Sequence, residues 1–301
     1  MRYKLTLNKI TGILLSFPFV MAGGVSADGQ QAEQIAVQRI AVFRSIHADK
    51  LAEYKQLKSS LAEENEIADL LLGLQKTARK NKLTILRFTP KKALPQDFIN
   101  SKTVEVEVET NFSNLEDFFS EITKLQKIVS IDGFRITQRG LQTTDKTLDA
   151  QFLLTVYYGA NNSFEGKISP TLKPVEEQKE LETRITNLDA TIETIKRLRA
   201  AQDAPSAVME ALRERIVMSP GLYLETVEQI GEQITIKGNS PDETIVTQFG
   251  RSMEFSGGLF SNLNIETQRQ KLMRQNKVFE VVNFTVRCQY NPQKAVSTSS
   301  K

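Results

Sequence analysis

Tryptophan is absent from this chain, and histidine and cysteine occur once each, as His47 and Cys288. One histidine and one thiol leave no material for a Ser-His-Asp triad, or for a zinc site built from several His and Cys ligands. A lone cysteine also excludes an internal disulfide, and an exported chain with one thiol calls for that thiol to be buried. Charge of one sign is scarce as well. The formal net charge is +3, yet Arg2, Lys4 and Lys9 precede any acid, and beyond residue 27 the basic residues only match the 36 acids. A binder of nucleic-acid backbones needs a clustered basic excess, and the charges here are mixed along the chain. Long apolar runs are also missing: the longest, Ile10 to Val25, falls short of the roughly 20 residues a spanning helix needs.

What is present begins with an address. Basic residues, an apolar stretch and the small-residue site Val25-Ser26-Ala27 form a secretory signal with cleavage after Ala27. An uncleaved N-terminal anchor and a buried core helix are the other readings. Residues 1–27 are therefore expected to be a signal peptide or anchor, and the remainder to lie in a bacterial periplasm, free or tethered to the inner membrane.

The chain then says the same thing twice. Residues 28–81 read as one long helix or two in series, with Ile40, Phe43, His47, Tyr54, Leu57, Leu61, Ala68 and Leu71 at three- and four-residue intervals. Lys50 and Glu64 interrupt this stripe, so a coiled coil here is imperfect. Strands follow at Leu83–Phe88 and Thr103–Thr110, around a loop marked by Pro90 and Pro95. Val104, Val106 and Val108 alternate with Glu105, Glu107 and Glu109, as on a sheet with one wet face. Ser113 and Glu116 read as a capping box. The helix they open carries Leu115, Phe118, Phe119, Ile122 and Leu125 on one stripe. Strands near Val129–Ile136, with a bulge at Asp132-Gly133, and Leu148–Tyr158 complete the unit.

Residues 161–174 read as a linker. In the helix over 175–203, Leu181, Ile185, Leu188, Ile192 and Ile195 occupy successive a and d positions. So short a seam needs a partner helix, supplied by the first long helix or by another chain. Pro205 restarts a helix. A hairpin over 222–237 follows, then a second capping box at Ser240 and Glu243. Its helix carries Ile245, Val246, Phe249 and Met253. A strand at 259–267, a polar loop at 268–276 and a strand at 277–290 close the second unit, with Cys288 as a small core residue. Residues 292–301 read as a disordered tail.

The pattern predicts an α+β fold. It consists of two tandem ferredoxin-like domains in a circularly permuted α-β-β-α-β-β order, at 82–160 and 204–291, each preceded by a long coiled-coil-like helix.

The residues of both halves resemble type IV pilus alignment proteins. Phe88-Thr89-Pro90, Phe118-Phe119, Ile122, Leu125, Lys127–Ile131 and Phe134-Arg135-Ile136 resemble the periplasmic domain of the PilO family over residues 50–158. Ser219–Leu224, Ile234–Gly238, Met253–Ser256 and Leu259-Phe260 are similar to PilN over residues 175–290. The resemblance implies pairing through coiled coils and ferredoxin-like domains, within a complex that also holds a lipoprotein and a cytoplasmic actin-like protein. The Asn-Leu-Leu-Pro motif of PilN and a second hydrophobic segment before residue 175 are not found, so contact with the cytoplasmic protein is not implied.

The expected function is a non-enzymatic, protein-binding scaffold of pilus assembly, without a cofactor, metal or nucleic-acid partner. Its partners would be alignment-complex proteins. A homodimer and an intramolecular pairing of the two domains both fit. A type II secretion platform component is the nearest alternative. A small phosphatase-type enzyme is a further one, but the loops Gly140–Lys146 and Gly238–Ser240 lack an obvious phosphate cradle. RNA binding would need exposed aromatics where the clearest strand presents glutamates. The residues expected to carry interaction are the seam Leu181, Ile185, Leu188, Ile192 and Ile195.

Overall fold

A computed structural model describes residues 28–92, 99–159, 174–202, 204–256, 258–274 and 277–291. The expected signal or anchor, the linker, Pro95 and the tail lie outside the described residues. In chain order the elements are helix α1 (Asp28–Lys58), a 3-10 turn (Glu64–Glu66), α2 (Ile67–Lys80), β1 (Thr84–Pro90), β2 (Ile99–Thr110), α3 (Phe112–Thr123), β3 (Val129–Gln138) and β4 (Leu148–Gly159). Then come α4 (Pro174–Ala201), α5 (Ala204–Val217), β5 (Tyr223–Ile230), β6 (Gln233–Ser240), α6 (Glu243–Glu254), β7 (Phe260–Arg274) and β8 (Lys277–Tyr290). The chain divides into two compact units. One holds residues 1–48 and 167–183, and the other residues 49–166 and 184–301.

In the larger unit all eight strands form one antiparallel sheet, in the order β1-β2-β4-β3-β5-β6-β8-β7. The first four strands and the last four repeat the same order. The two halves meet where β3 pairs with β5, from Gly133↔Ile230 to Thr137↔Thr226. Two expected four-stranded sheets are thus one. The hydrogen bonds that would have ended at the β3 edge are satisfied by β5 instead.

The sheet has one dry face. Val104, Val106 and Val108, Ala150, Phe152 and Leu154, Ile234 and Ile236, and Phe284 and Val286 point into a single hydrophobic cluster, which also takes in residues of α2, α3, α5 and α6. Glu105, Glu107, Arg135, Lys237 and Arg287 alternate onto the other face. Helices α3 and α6 bury equivalent residues: Leu115, Phe118 and Ile122 in one, Val246, Phe249 and Met253 in the other. Where α3 has Phe119 packed 5.4 Å from the Phe152 ring and 5.9 Å from Phe134, α6 has Gly250. A Cβ there would meet Ile265 Cδ1 at 2.1 Å, so a strand side chain fills the space that a helix side chain fills in the first half.

The first long helical stretch takes the second of its two expected forms, two helices in series, α1 and α2, broken by the turn at Glu64–Glu66. Other local readings are corrected. Ser113 and Ser240 do not cap. Asn111 is the N-cap of α3 and accepts from Asn114 N–H at 2.9 Å; Asp242 caps α6 and accepts from Thr244 N–H at 2.8 Å. Both caps are extended, and each carboxyl or amide oxygen reaches the free N–H two or three residues on. The two glutamates go elsewhere: Glu116 faces Arg213 at 3.4 Å, and Glu243 faces Arg269 at 3.1 Å. The polar stretch after Thr267 is not a loop, because β7 runs on to Arg274, paired with Lys277. Backbone pairing overrides its polar composition. Pro90 ends β1 rather than starting a loop. The bulge at Asp132-Gly133 is present as a register shift between Ile131 and Phe134.

Candidate interaction site

All five seam residues of α4 are buried. In the smaller unit Leu181 is fully covered, Ile40 and Phe43 of α1 are buried, and Arg44 pairs with Glu177 at 2.6 Å. In the larger unit Leu188, Ile192 and Ile195 join Tyr54 and Leu61 in a second cluster, separate from the main core. Leu51 and Leu57 of α1 pack against it. The first long helix thus supplies the partner that the short seam needs. The ion pairs Lys50–Asp189 and Lys196–Glu53, both at 2.7 Å, advance in the same sense along both helices, so α1 and α4 run parallel. The hydrogen bond to Asp189 raises the Lys50 pKa, and that from Lys196 lowers the Glu53 pKa. Such half-exposed pairs contribute little energy each, on the order of 0–1 kcal/mol. Their value is in fixing register.

The same cluster includes Ile99 and Ile128, with Tyr157 against it. By strand parity Ile99 stands on the face of β2 opposite Val104. The larger unit's part of the helix pair, residues 49–58 and 184–201, is therefore seated on one end of the polar face of the first half, while α2 and α3 cover its dry face. The seat is stitched by main chain: Ile128 N–H donates to Ser60 O at 2.8 Å, and Ala62 N–H to Tyr157 O at 3.0 Å. Gln202, only 3% exposed, donates to the Ile122 carbonyl at the end of α3 at 2.9 Å, and Arg199 donates to Gln126 O at 2.7 Å. Gln202 thus adds a second donor to the Ile122 carbonyl, which Leu125 N–H also reaches at 3.1 Å, and Arg199 ties down the segment just beyond α3.

Several other charged residues are held in structural pairs. Glu109 receives Arg139 at 2.5 Å and Lys146 at 2.8 Å, and their hydrogen bonds lower its pKa. Glu107 faces Arg87 and Glu105 faces Lys91. Cys288 is 2% exposed, and burial pushes its thiol up to about 12. No group of three or more potential metal ligands occurs among the described residues. No described helix is long and apolar enough to cross a membrane.

One groove of about 320 Å³ opens beside the junction of the two halves, lined by Phe112, Ile136, Leu148, Leu212, Ile216 and Leu222. Arg213 and Glu225 are the charged residues of its wall. Such a lining offers apolar contact and no matched acid and base. Sequence reasoning allowed a pairing of the two domains but did not name the strands that make it. The junction's ion pair Arg135–Glu228 joins residues with no periodic relation, so nothing in one strand announces the other. It also missed Gln202, a single polar residue at a helix end.

Comparison with known proteins divides the chain at the same place. Residues 66–160 match the type IVa pilus alignment subcomplex PilO C-terminal domain, and residues 207–290 match the fimbrial assembly protein PilN. Among solved structures, the chain is similar to the type 4 fimbrial biogenesis protein PilO from Pseudomonas aeruginosa. The identity is 19%, over 46% of this chain and 91% of that one, with a TM-score of 0.31. No curated protein matches it.

Proposed function

We propose that this chain is a scaffold of the type IV pilus alignment complex, in which a PilO-like half and a PilN-like half are joined on one polypeptide and meet within it. The observation that carries this reading is the pairing of β3 with β5, which unites the two family-matched segments in one sheet. Each half, read as α-β-β-α-β-β with strand order first-second-fourth-third, is a ferredoxin-like sandwich entered at its first helix. The domains lie at 82–160 and 204–291, with helical segments 28–81 and 175–203 before them. The helix pair α1/α4 acts as an internal coiled coil rather than as a docking seam for another chain. The chain works in the periplasm, held to the inner membrane at most through its first residues, and its partners are other alignment-complex proteins. Its role is non-enzymatic.

Deletion of the gene in a piliated host tests this. Loss of surface pili in electron micrographs, restored by the intact gene and not by a gene encoding Ile192→Asp, is the expected result. Unchanged piliation, or hydrolysis of a phosphoester by the pure protein that one point change abolishes, would overturn it.

A further inference from the structure

The repeated strand order leaves two edges, and they are not alike. β5 enters the sheet by pairing with β3. Its counterpart in the first half is β1, and the counterpart of β3 in the second half is β7. If copies of the chain joined as the two halves do, β7 of one copy would meet β1 of the next without end. β1 is built against that. It is short, its register shifts between Ile85 and Arg87, and Lys91 N–H donates inward to Thr103 O, so the nitrogen of Pro90 faces the open edge with no hydrogen to give. β7 carries no such guard. Its only irregularity, between Ser261 and Asn264, lies at its start, and the ladder with β8 is regular from Asn264 to Arg274. Asn291 N–H donates to Leu259 O, which sets the alternation. Ile265, Thr267, Arg269 and Lys271 thus turn their main-chain groups to the open edge.

The hairpin also outruns its support. β6 ends at Ser240, opposite Val282, and Val282 lies opposite Arg269. Where Gln270 to Arg274 pair with Lys277 to Val281 the sheet is two strands wide, and Glu266 to Lys271 are exposed on both faces. A two-stranded ribbon alone is marginal in water.

We infer that β7 is a dimerisation edge, pairing antiparallel with β7 of a second copy about a two-fold axis at Gln268. Charge and regularity select this register. An axis at Arg269 sets arginine against arginine, and one at Gln270 sets Arg269 against Lys271, both unfavourable for directly opposed residues. An axis at Thr267 draws in the irregular start of the strand. At Gln268, Glu266 meets Gln270, Thr267 meets Arg269, and Ile265 meets Lys271. The projecting ribbon of each copy then lies beside the start of β7 in the other. The contact closes at two copies because each has one such edge.

Gln268 turns its main-chain groups to β8, so the two copies of Gln268 form a non-hydrogen-bonded pair, with Cα atoms about 4.5 Å apart. That separation lies within the reach of a disulfide, roughly 4.4–6.8 Å. Mild oxidation of the pure full-length Gln268→Cys chain, in gentle detergent, is expected to give a disulfide-linked dimer. Gln270→Cys, whose two copies would stand about 13 Å apart along the strands at roughly 3.3 Å per residue, is expected to remain unlinked. The buried Cys288 supplies no background in either. In sedimentation velocity the parent is expected to run as a dimer. Lys271→Pro, which removes one edge-facing N–H and leaves the β8 ladder whole, is expected to run as a monomer with an unchanged circular dichroism spectrum. A monomeric parent, equal linking of the two cysteine variants, or a dimer that survives Lys271→Pro would each overturn the inference. None of these readouts depends on pilus assembly.

Discussion

Gly238 and Gly250 are both buried, yet a methyl group added to each meets very different atoms. At Gly238 it would lie 2.1 Å from the Tyr223 carbonyl oxygen and 2.8 Å from Phe284 Cζ, where β5 shifts register across β6. Main chain cannot yield there. Gly238→Ala is expected to cost about 2–3 kcal/mol, at the upper end of overpacking effects, in urea unfolding followed by circular dichroism. At Gly250 the methyl meets only the tip of Ile265, which is 36% exposed and can turn outward. With up to about 1 kcal/mol of helix propensity gained, Gly250→Ala is expected to be neutral or stabilising in the same assay. Cys288 makes a further prediction. Its folded pKa of about 12 lies above its ordinary value of 9.0. The stability it contributes is complete below pH 9.0 and is lost as pH rises toward 12, because the unfolded chain ionises first. Urea midpoints above pH 9 should fall more steeply for the parent than for Cys288→Ala, and native protein should resist thiol labelling until it is unfolded. The burial of Cys288 was legible from alternation along its strand. The strain at Gly238 was not, since it depends on a carbonyl of another strand.

Among the elements, α4 is the most readable and the most dependent. Its a and d positions marked the apolar stripe that is buried, because heptad spacing lies within one helix. They did not name the partner, because Tyr54, Ile99 and Ile128 come from three separate segments. Ile192, 1% exposed between them, is the point to test. Ile192→Ala is expected to cost about 2–5 kcal/mol, as buried Ile-to-Ala changes do, in the same urea assay. Helices α3 and α6 were equally legible in their apolar stripes and misread at their starts. A serine followed three residues later by glutamate fits the capping rule, but the extended residue before each first turn, Asn111 or Asp242, holds the cap. β7 was misread for a related reason. Its polar letters carry no alternation, and only the presence of β8 beside it decides that Gln268 to Arg274 are strand.

At the scale of the whole molecule, acid should act through many small contributions. Salt bridges and hydrogen bonds hold Glu53, Glu109, Glu121 and Glu243 below their ordinary 4.5. Each contributes stability above that value, lost as pH falls through the lowered folded one. Glu116, raised by burial, acts in the opposite sense. The urea midpoint is expected to drop below pH 4.5, less steeply in Glu109→Gln. The shared sheet and the one hydrophobic cluster along its dry face further predict one unfolding transition for both halves, with far-UV and near-UV signals coinciding in a thermal melt. Alternation and helical spacing, which depend only on neighbours along the chain, determined the element order, the two-fold repetition, the dry and wet sheet faces and the apolar stripe of α4. The joining of β3 to β5, the seating of the helix pair and the open β7 edge were decided by tertiary structure alone. Each is a meeting of backbone groups or side chains far apart in sequence, and local periodicity records which face is apolar but not what will cover it.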